Sequence, residues 1–133
     1  MGQLKTEVVL MSKIEVRIWE RDFELTVVYQ NYPGEEITNN QLKTLQGVKE
    51  ADYSIAKKGV EQYILKYFKD ELGEENLSNI FRFVMPQSIL ISRSPFVRVF
   101  SVMCNFKLDM EHGIAIVFEN EKYKDAGPQD IIL

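Results

Sequence analysis

One amphipathic stretch, set between two groups of alternating segments, is the feature that most constrains this chain. From Ala51 to Leu72, apolar side chains recur every three or four residues, which places them on one face of a helix. Gly73 follows and favours a left-handed helix end. The pattern predicts a single long helix, in which Gly59 allows close packing on a sheet. The predicted apolar face consists of Ile55, Ala56, Val60, Tyr63, Ile64, Tyr67, Phe68 and Leu72.

The segment before this helix has the alternation that is typical of strands. Apolar and polar side chains alternate over residues 14–18 and again over 23–29. Residues 20–22 are a polar link between them, so we expect an antiparallel hairpin with its turn there. Residues 4–10 favour either a short strand or an irregular lead-in.

The sequence predicts a second, shorter helix between the hairpin and the long helix. Thr38-Asn39-Asn40-Gln41 has the spacing of a capping box, in which the threonine hydroxyl and the glutamine side chain bond to each other's backbone amides. A short helix that ends near Gly47 should follow.

Strand patterns return after the long helix and close the fold. Residues 96–108 are apolar on both faces, which is typical of a central strand. The order of segments therefore predicts an α+β fold: a mostly antiparallel sheet of about five to seven strands, with one long amphipathic helix and one or two short helices packed on one face. We expect one domain over residues 1–133. The other predicted strands are 88–92 after Pro86, 114–118, an edge strand from Tyr123, and a terminal strand over 131–133.

Composition excludes several classes of function. The chain carries 20 acidic and 16 basic residues, a formal net charge of −4, and this balance argues against a nucleic-acid partner. The single cysteine, Cys104, cannot form an intrachain disulfide. No apolar run is long enough to cross a membrane, and the first residues lack the apolar stretch of a signal peptide. We therefore expect a cytoplasmic protein with no membrane partner.

Polar and titratable residues concentrate in the last 25 positions. His112 is the only histidine of the chain, and Asp109 and Glu111 stand beside it. A carboxylate can orient an imidazole, so His112, Glu111, Asp109 and Asp130 are the candidates for acid–base chemistry. The alternative is a β-turn in which Asp109 bonds to turn amides and the following glycine supplies a special backbone angle. The spacing does not suit a zinc or calcium site, and we expect no metal and no cofactor.

Three further residues are candidates for binding rather than catalysis. Trp19 and Tyr32 each stand at the end of a strand, where an aromatic side chain can be exposed. Gln129 stands in the turn Gly127-Pro128-Gln129-Asp130, and a returning terminal strand would bring it, with Asp130, close to His112. Cys104 lies in an apolar strand, where a thiol is usually an inert packing group.

Two short motifs carry a resemblance. Asp109-Met110-Glu111-His112-Gly113 and Gly127-Pro128-Gln129-Asp130 flank an apolar strand that ends in phenylalanine. In this arrangement the chain from Pro86 onward resembles the C-terminal half of a bacterial family of uncharacterised domains. Thr38 and Gln41 at the first helix are also similar to that family. The resemblance implies a bacterial single-domain protein and brings no activity with it.

Three functions remain open at this point. The absence of a complete catalytic set favours a non-enzymatic protein-binding module with an unidentified protein partner, for example an immunity-type protein that neutralises a toxin. The first alternative is a small-molecule or metal-dependent enzyme with its site around His112. The second is a structural subunit of a homo-oligomer, since the end strands could pair across a dimer.

Overall fold

The computed structural model describes residues 12–132, and the segment 4–10 considered above lies outside them. Six strands form one sheet in chain order, and all neighbours are antiparallel except β2 and β3, which are parallel. This confirms the predicted α+β class. The strands are β1 (Ser12–Ile18), β2 (Arg21–Tyr29), β3 (Val84–Ile91), β4 (Val99–Phe106), β5 (Ile114–Glu119) and β6 (Lys122–Gly127).

Three helices lie in the connection between the two parallel strands: α1 (Asn39–Gly47), α2 (Tyr53–Tyr67) and α3 (Lys69–Leu72). Helix α1 begins at the predicted capping box. Gln41 donates its backbone amide to the Thr38 hydroxyl, and Thr38 donates its own to the Gln41 side chain, both at 3.0 Å. Parallel strands require such a long crossover, whereas the other neighbours need only short turns.

The core lies between α2 and the sheet face that it covers. Tyr53, Ala56, Val60 and Ile64 of α2 are buried and join the apolar side chains of that face. The predicted close approach at Gly59 is confirmed, because a Cβ there would collide with the phenol of Tyr123 on β6. Helix α2 can therefore lie directly against the last strand only because residue 59 has no side chain.

The single long helix predicted for residues 51–72 is wrong in one respect. The helix breaks at Phe68 (φ −129°, ψ 25°), and the short helix α3 follows in a new direction. The break lets the Phe68 ring pack edge-on against Phe106, with 5.0 Å between centroids, while Leu72 is still buried. Two residues of the predicted apolar face, Ile55 and Tyr67, are exposed instead, because the buried face is narrower than the apolar pattern.

Two hairpin turns use residues with left-handed backbone angles. The first turn is Trp19-Glu20, with φ of 51° and 68°, so the predicted turn at 20–22 is one residue late. The second is Asn120-Glu121, with φ of 51° and 66°. Two-residue turns with both φ values positive match the twist of the flanking strands, which offsets the strain of non-glycine residues there.

The predicted first residues of two strands are wrong. β3 begins at Val84 and includes Pro86, which is tolerated because pairing with β2 starts only at Ser88 and a bulge separates the two residues. β4 begins at Val99 rather than at residue 96.

The predicted terminal strand is also wrong. Residues Gln129–Ile132 form a 3₁₀ turn, and residue 133 lies outside the described part of the chain. The turn packs against β5, and the Ile132 carbonyl lies 3.5 Å from the Gln30 side-chain nitrogen after β2. Pro128 has no backbone N–H to donate to a neighbouring strand, which opposes a seventh strand directly after β6.

Candidate functional site

The turn between β4 and β5 is organised by the carboxylate of Asp109. Both Asp109 oxygens lie 3.0 Å from the His112 Nδ1 atom, and the His112 backbone amide donates to one of them at 3.3 Å. The Gly113 amide donates to the Asp109 carbonyl at 2.9 Å, and Gly113 has a φ of 60°. Asp109 thus fixes both the turn and the orientation of the imidazole, as in the turn interpretation of the sequence.

The second motif interlocks with the first. The backbone amide of Gln129 donates to the His112 carbonyl at 3.0 Å, and its side-chain nitrogen donates to the Cys104 carbonyl, also at 3.0 Å. The Gln129 amide group lies directly over the Cα of Gly113, where a Cβ would come within 2.6 Å of it. A 3₁₀ turn, rather than the expected terminal strand, thus brings Gln129 to His112. The two motifs form one latch that fastens residues 127–132 to the β4–β5 turn.

Electrostatics at the latch favour a protonated histidine. The hydrogen bond and the negative charge of Asp109 raise the pKa of His112, and the more distant carboxylates of Glu111 and Asp130 act in the same direction. The imidazole side chain is 48% exposed, and its Nε2 atom lies 3.8 Å from a Glu111 oxygen. The raised pKa favours the imidazolium form, in which the Nε2 atom can donate a hydrogen bond to a ligand.

This raised pKa predicts a pH-dependent stability. In the unfolded chain the pKa of His112 is about 6.5. Because the folded value is higher, the stabilisation is fully present below pH ~6.5 and is lost as the pH rises through the folded pKa. We expect the urea midpoint of the wild type to fall relative to that of His112→Gln over this range. Proton NMR of the single histidine checks the cause, and a folded pKa at or below ~6.5 would contradict it.

Cys104 does not extend this arrangement into a nucleophilic site. Its side chain is fully buried on the core face of β4, and burial raises the pKa of the thiol, so it stays protonated. Within residues 12–132, no three side chains of the His, Cys, Asp and Glu types are grouped so that they could hold a metal ion. In the same residues, no helix has the length and apolar character needed to cross a bilayer.

The two aromatic candidates lie in different environments. Trp19 is half-buried, with its ring 5.7 Å from that of Phe81, and its indole nitrogen donates to the Tyr53 carbonyl at 2.7 Å. Tyr32 is 68% exposed, in the loop that follows β2. The structure thus uses Trp19 to hold the first hairpin against the start of α2, while Tyr32 is available for contact.

A more exposed aromatic residue was missed by the sequence interpretation. Phe96, assigned above to a strand, is 92% exposed in the loop between β3 and β4. Pro95 before it was the available signal, since Ser94-Pro95 is typical of a turn. Phe96 and Tyr32 lie at the same end of the sheet, and we call this surface the Tyr32–Phe96 tip.

The loop between β3 and β4, which carries Phe96, is held at three points. Asn40 of α1 donates its side-chain amide to the Ser94 and Val97 carbonyls, at 2.6 and 2.8 Å, on either side of Phe96. Before Phe96, Arg93 donates to the Asn31 side chain at 2.9 Å and pairs with Glu35 at 3.3 Å, which ties this loop to that of Tyr32.

After Phe96, Arg98 forms the third anchor of the loop. Its guanidinium makes a two-point bond with Glu121, at 2.8 and 2.9 Å, in the β5–β6 turn. The hydrogen bond from Arg98 lowers the pKa of the Glu121 carboxyl, so the pair stays charged. Phe96 is therefore presented to solvent by a loop whose two ends and centre are fixed.

The fold and the latch define the class of this protein. It is an α+β protein with a six-stranded sheet and a helical crossover on one face, in which residues 129–132 are bonded to the β4–β5 turn. Residues 1–133 match the model of the family described as domain of unknown function (DUF6985), and the chain belongs to that family. The expected resemblance to a family of uncharacterised domains is confirmed at this level. No curated protein and no solved structure matches the chain significantly.

Proposed function

We propose that this protein is a non-enzymatic protein-binding module and that the Tyr32–Phe96 tip is its contact surface. The observation that carries the proposal is the 92% exposure of Phe96 on a loop fixed by Asn40, Arg93 and Arg98. An exposed phenylalanine offers a large apolar area to a partner, and exposure to water in the free protein is unfavourable.

Pre-organisation strengthens this argument. A loop that is already ordered loses little conformational entropy when a partner covers it, so more of the apolar contact is retained as affinity. The charged side chains beside Phe96 are already engaged, Arg93 by Glu35 and Arg98 by Glu121. We therefore expect a protein partner with an apolar pocket for Phe96, rather than one that binds chiefly through charge.

The specific form that we propose is an immunity-type protein in the bacterial cytoplasm, whose partner is a toxin. Proteins of this kind act by covering a partner and need no catalytic group of their own. The interpretation of Asp109, His112 and Gln129 as a structural latch supports this choice, because it accounts for the polar residues that otherwise suggest an enzyme.

Substitution at the tip tests the proposal. We expect Phe96→Ala to weaken binding of the protein encoded beside this gene by about 10- to 100-fold, as truncation of a central aromatic contact does. Asn40→Ala should weaken it less, because the loop is loosened while Phe96 remains. Met110→Ala is the matched control, since Met110 is 70% exposed but lies in the distant latch turn. Calorimetry with both purified proteins provides the measurement.

Two outcomes would contradict the proposal. Binding that is unchanged by Phe96→Ala would exclude the tip as the contact surface. Light scattering that shows a dimer dissociated by Phe96→Ala would instead assign the tip to self-association, which is the alternative of a structural subunit.

The enzyme alternative depends on one observation, the exposed imidazole that Asp109 orients at 3.0 Å. His112→Gln separates the two functions, because it removes the proton donor while leaving the tip intact. Retention of partner binding together with loss of a chemical activity in this variant would favour the enzyme.

A further inference from the structure

A groove along the C-terminal half of α2 is explained neither by the Tyr32–Phe96 tip nor by the latch. It has a volume of about 650 Å³ and lies between α2 and the β6 edge, with the chain end closing one side. This volume is within the range of small-molecule sites. Its floor exists because Gly59 lets α2 approach β6 closely.

Four aromatic side chains line the groove. Tyr63, Tyr67 and Phe68 come from the end of α2, and Tyr123 comes from β6. The Tyr63 ring lies 5.4 Å from that of Tyr67 and 5.7 Å from that of Phe68, at interplanar angles of 51° and 57°. These rings line the groove as an aromatic wall, and the face of an aromatic ring carries partial negative charge.

Carboxylates add to this negative character. Asp125 lines the groove directly. Asp109 and Asp130 lie close enough to Tyr63 that their charges, together with burial, raise the pKa of its hydroxyl. The groove also contains one cation, Lys66, whose Nζ atom lies 5.2 Å from the centroid of the Tyr67 ring. The chain's own ammonium group thus already occupies a cation position on this wall.

We infer that this groove binds a small organic ammonium ion, preferably a quaternary one, between the tyrosine wall and Asp125. A quaternary ammonium is weakly hydrated and loses little when it leaves water for aromatic faces. The ligand would displace the Lys66 side chain, which is exposed and free to move outward. This site is separate from the Tyr32–Phe96 tip, so it stands or falls independently of the proposed function.

Choline chloride is the first probe, and its neutral isostere 3,3-dimethyl-1-butanol is the matched control. We expect choline to bind with a Kd on the order of 1 mM, and its chemical shift perturbations to be confined to the groove residues. The neutral isostere should bind at least about tenfold more weakly, because the cation–aromatic attraction is absent.

Three variants distinguish this site from a general apolar groove. Tyr67→Ala and Asp125→Asn alter exposed side chains and should each weaken choline binding about fivefold. Lys66→Gln should instead tighten it about two- to fivefold, because a competing positive charge is removed. Ile55→Ala, which changes an exposed side chain at the other end of α2, should have no effect.

The inference is overturned if choline fails to saturate, if the neutral isostere binds equally well, or if Lys66→Gln leaves choline affinity unchanged. Thermal melting of each variant confirms that the fold is retained before the titration is interpreted.

Discussion

Replacing Phe118 with alanine is expected to lower the free energy of unfolding by about 3–5 kcal/mol. Phe118 is fully buried in β5, and its ring stacks on that of Phe100 at 4.8 Å with an interplanar angle of 12°. The ring of Tyr53 meets it edge-on at 5.1 Å, so α2 and the neighbouring strand β4 both contact this side chain. Truncation would leave a cavity that none of these elements can fill without moving.

Urea or guanidinium unfolding of purified protein checks this expectation. Phe96→Ala is the matched control, because it removes the same atoms from a side chain that is 92% exposed and should change stability by no more than about 0.5 kcal/mol. A Phe118→Ala protein that loses less than about 1 kcal/mol would show that the site is less tightly packed than the structure indicates.

Replacing Gly113 with alanine is expected to cost about 3 kcal/mol, the second largest effect. The φ of 60° at Gly113 disfavours any side chain by about 1–2 kcal/mol. A Cβ there would also lie 2.6 Å from the Gln129 amide nitrogen and 2.7 Å from the Cys104 carbonyl oxygen. The bond between these two groups, worth about 1 kcal/mol, would be displaced.

Gly73→Ala separates the two causes. Gly73 has a similar φ of 65°, but a Cβ there meets nothing within 4 Å. The control should therefore cost only the backbone strain, about 1–3 kcal/mol at a φ of 65° and a ψ of −128°. In addition, the cost of Gly113→Ala should decrease in a Gln129→Ala background, since part of the crowding is removed. A cost of Gly113→Ala that is the same in both backgrounds would contradict the latch.

Sequence patterns predicted an element correctly where the contacts that stabilise it join residues close together in the chain. The capping box at Thr38 bonds within four residues, and the φ of Gly73 is a property of one residue. The alternation over residues 14–18 and 23–29 needs only one buried face, so the first hairpin was predictable. The close approach at Gly59 was also predictable, because a residue without a side chain lets a neighbouring element pack against the helix.

Predictions were wrong where distant partners decide the conformation. Helix α2 breaks because Phe68 packs on Phe106 of β4, and periodicity along one segment contains no information about that strand. Phe96 left the predicted strand because Asn40, 56 positions earlier, holds the loop that contains it. The turn at 129–132 replaced a strand because Gln129 bonds to Cys104 rather than to a sheet edge.

The sequence by itself determined the class of fold, the capped helix, the hairpins and the positions of the two polar motifs. These depend on backbone propensity, on side-chain periodicity and on glycine geometry, all of which act over a few residues. Only the tertiary structure decided that Gln129 and Gly113 form one latch, that Phe96 is presented at a fixed tip, and that three tyrosines line a groove. These arrangements join residues far apart in the chain. Their contacts form, and stabilise the protein, only once the crossover helices have packed against the sheet.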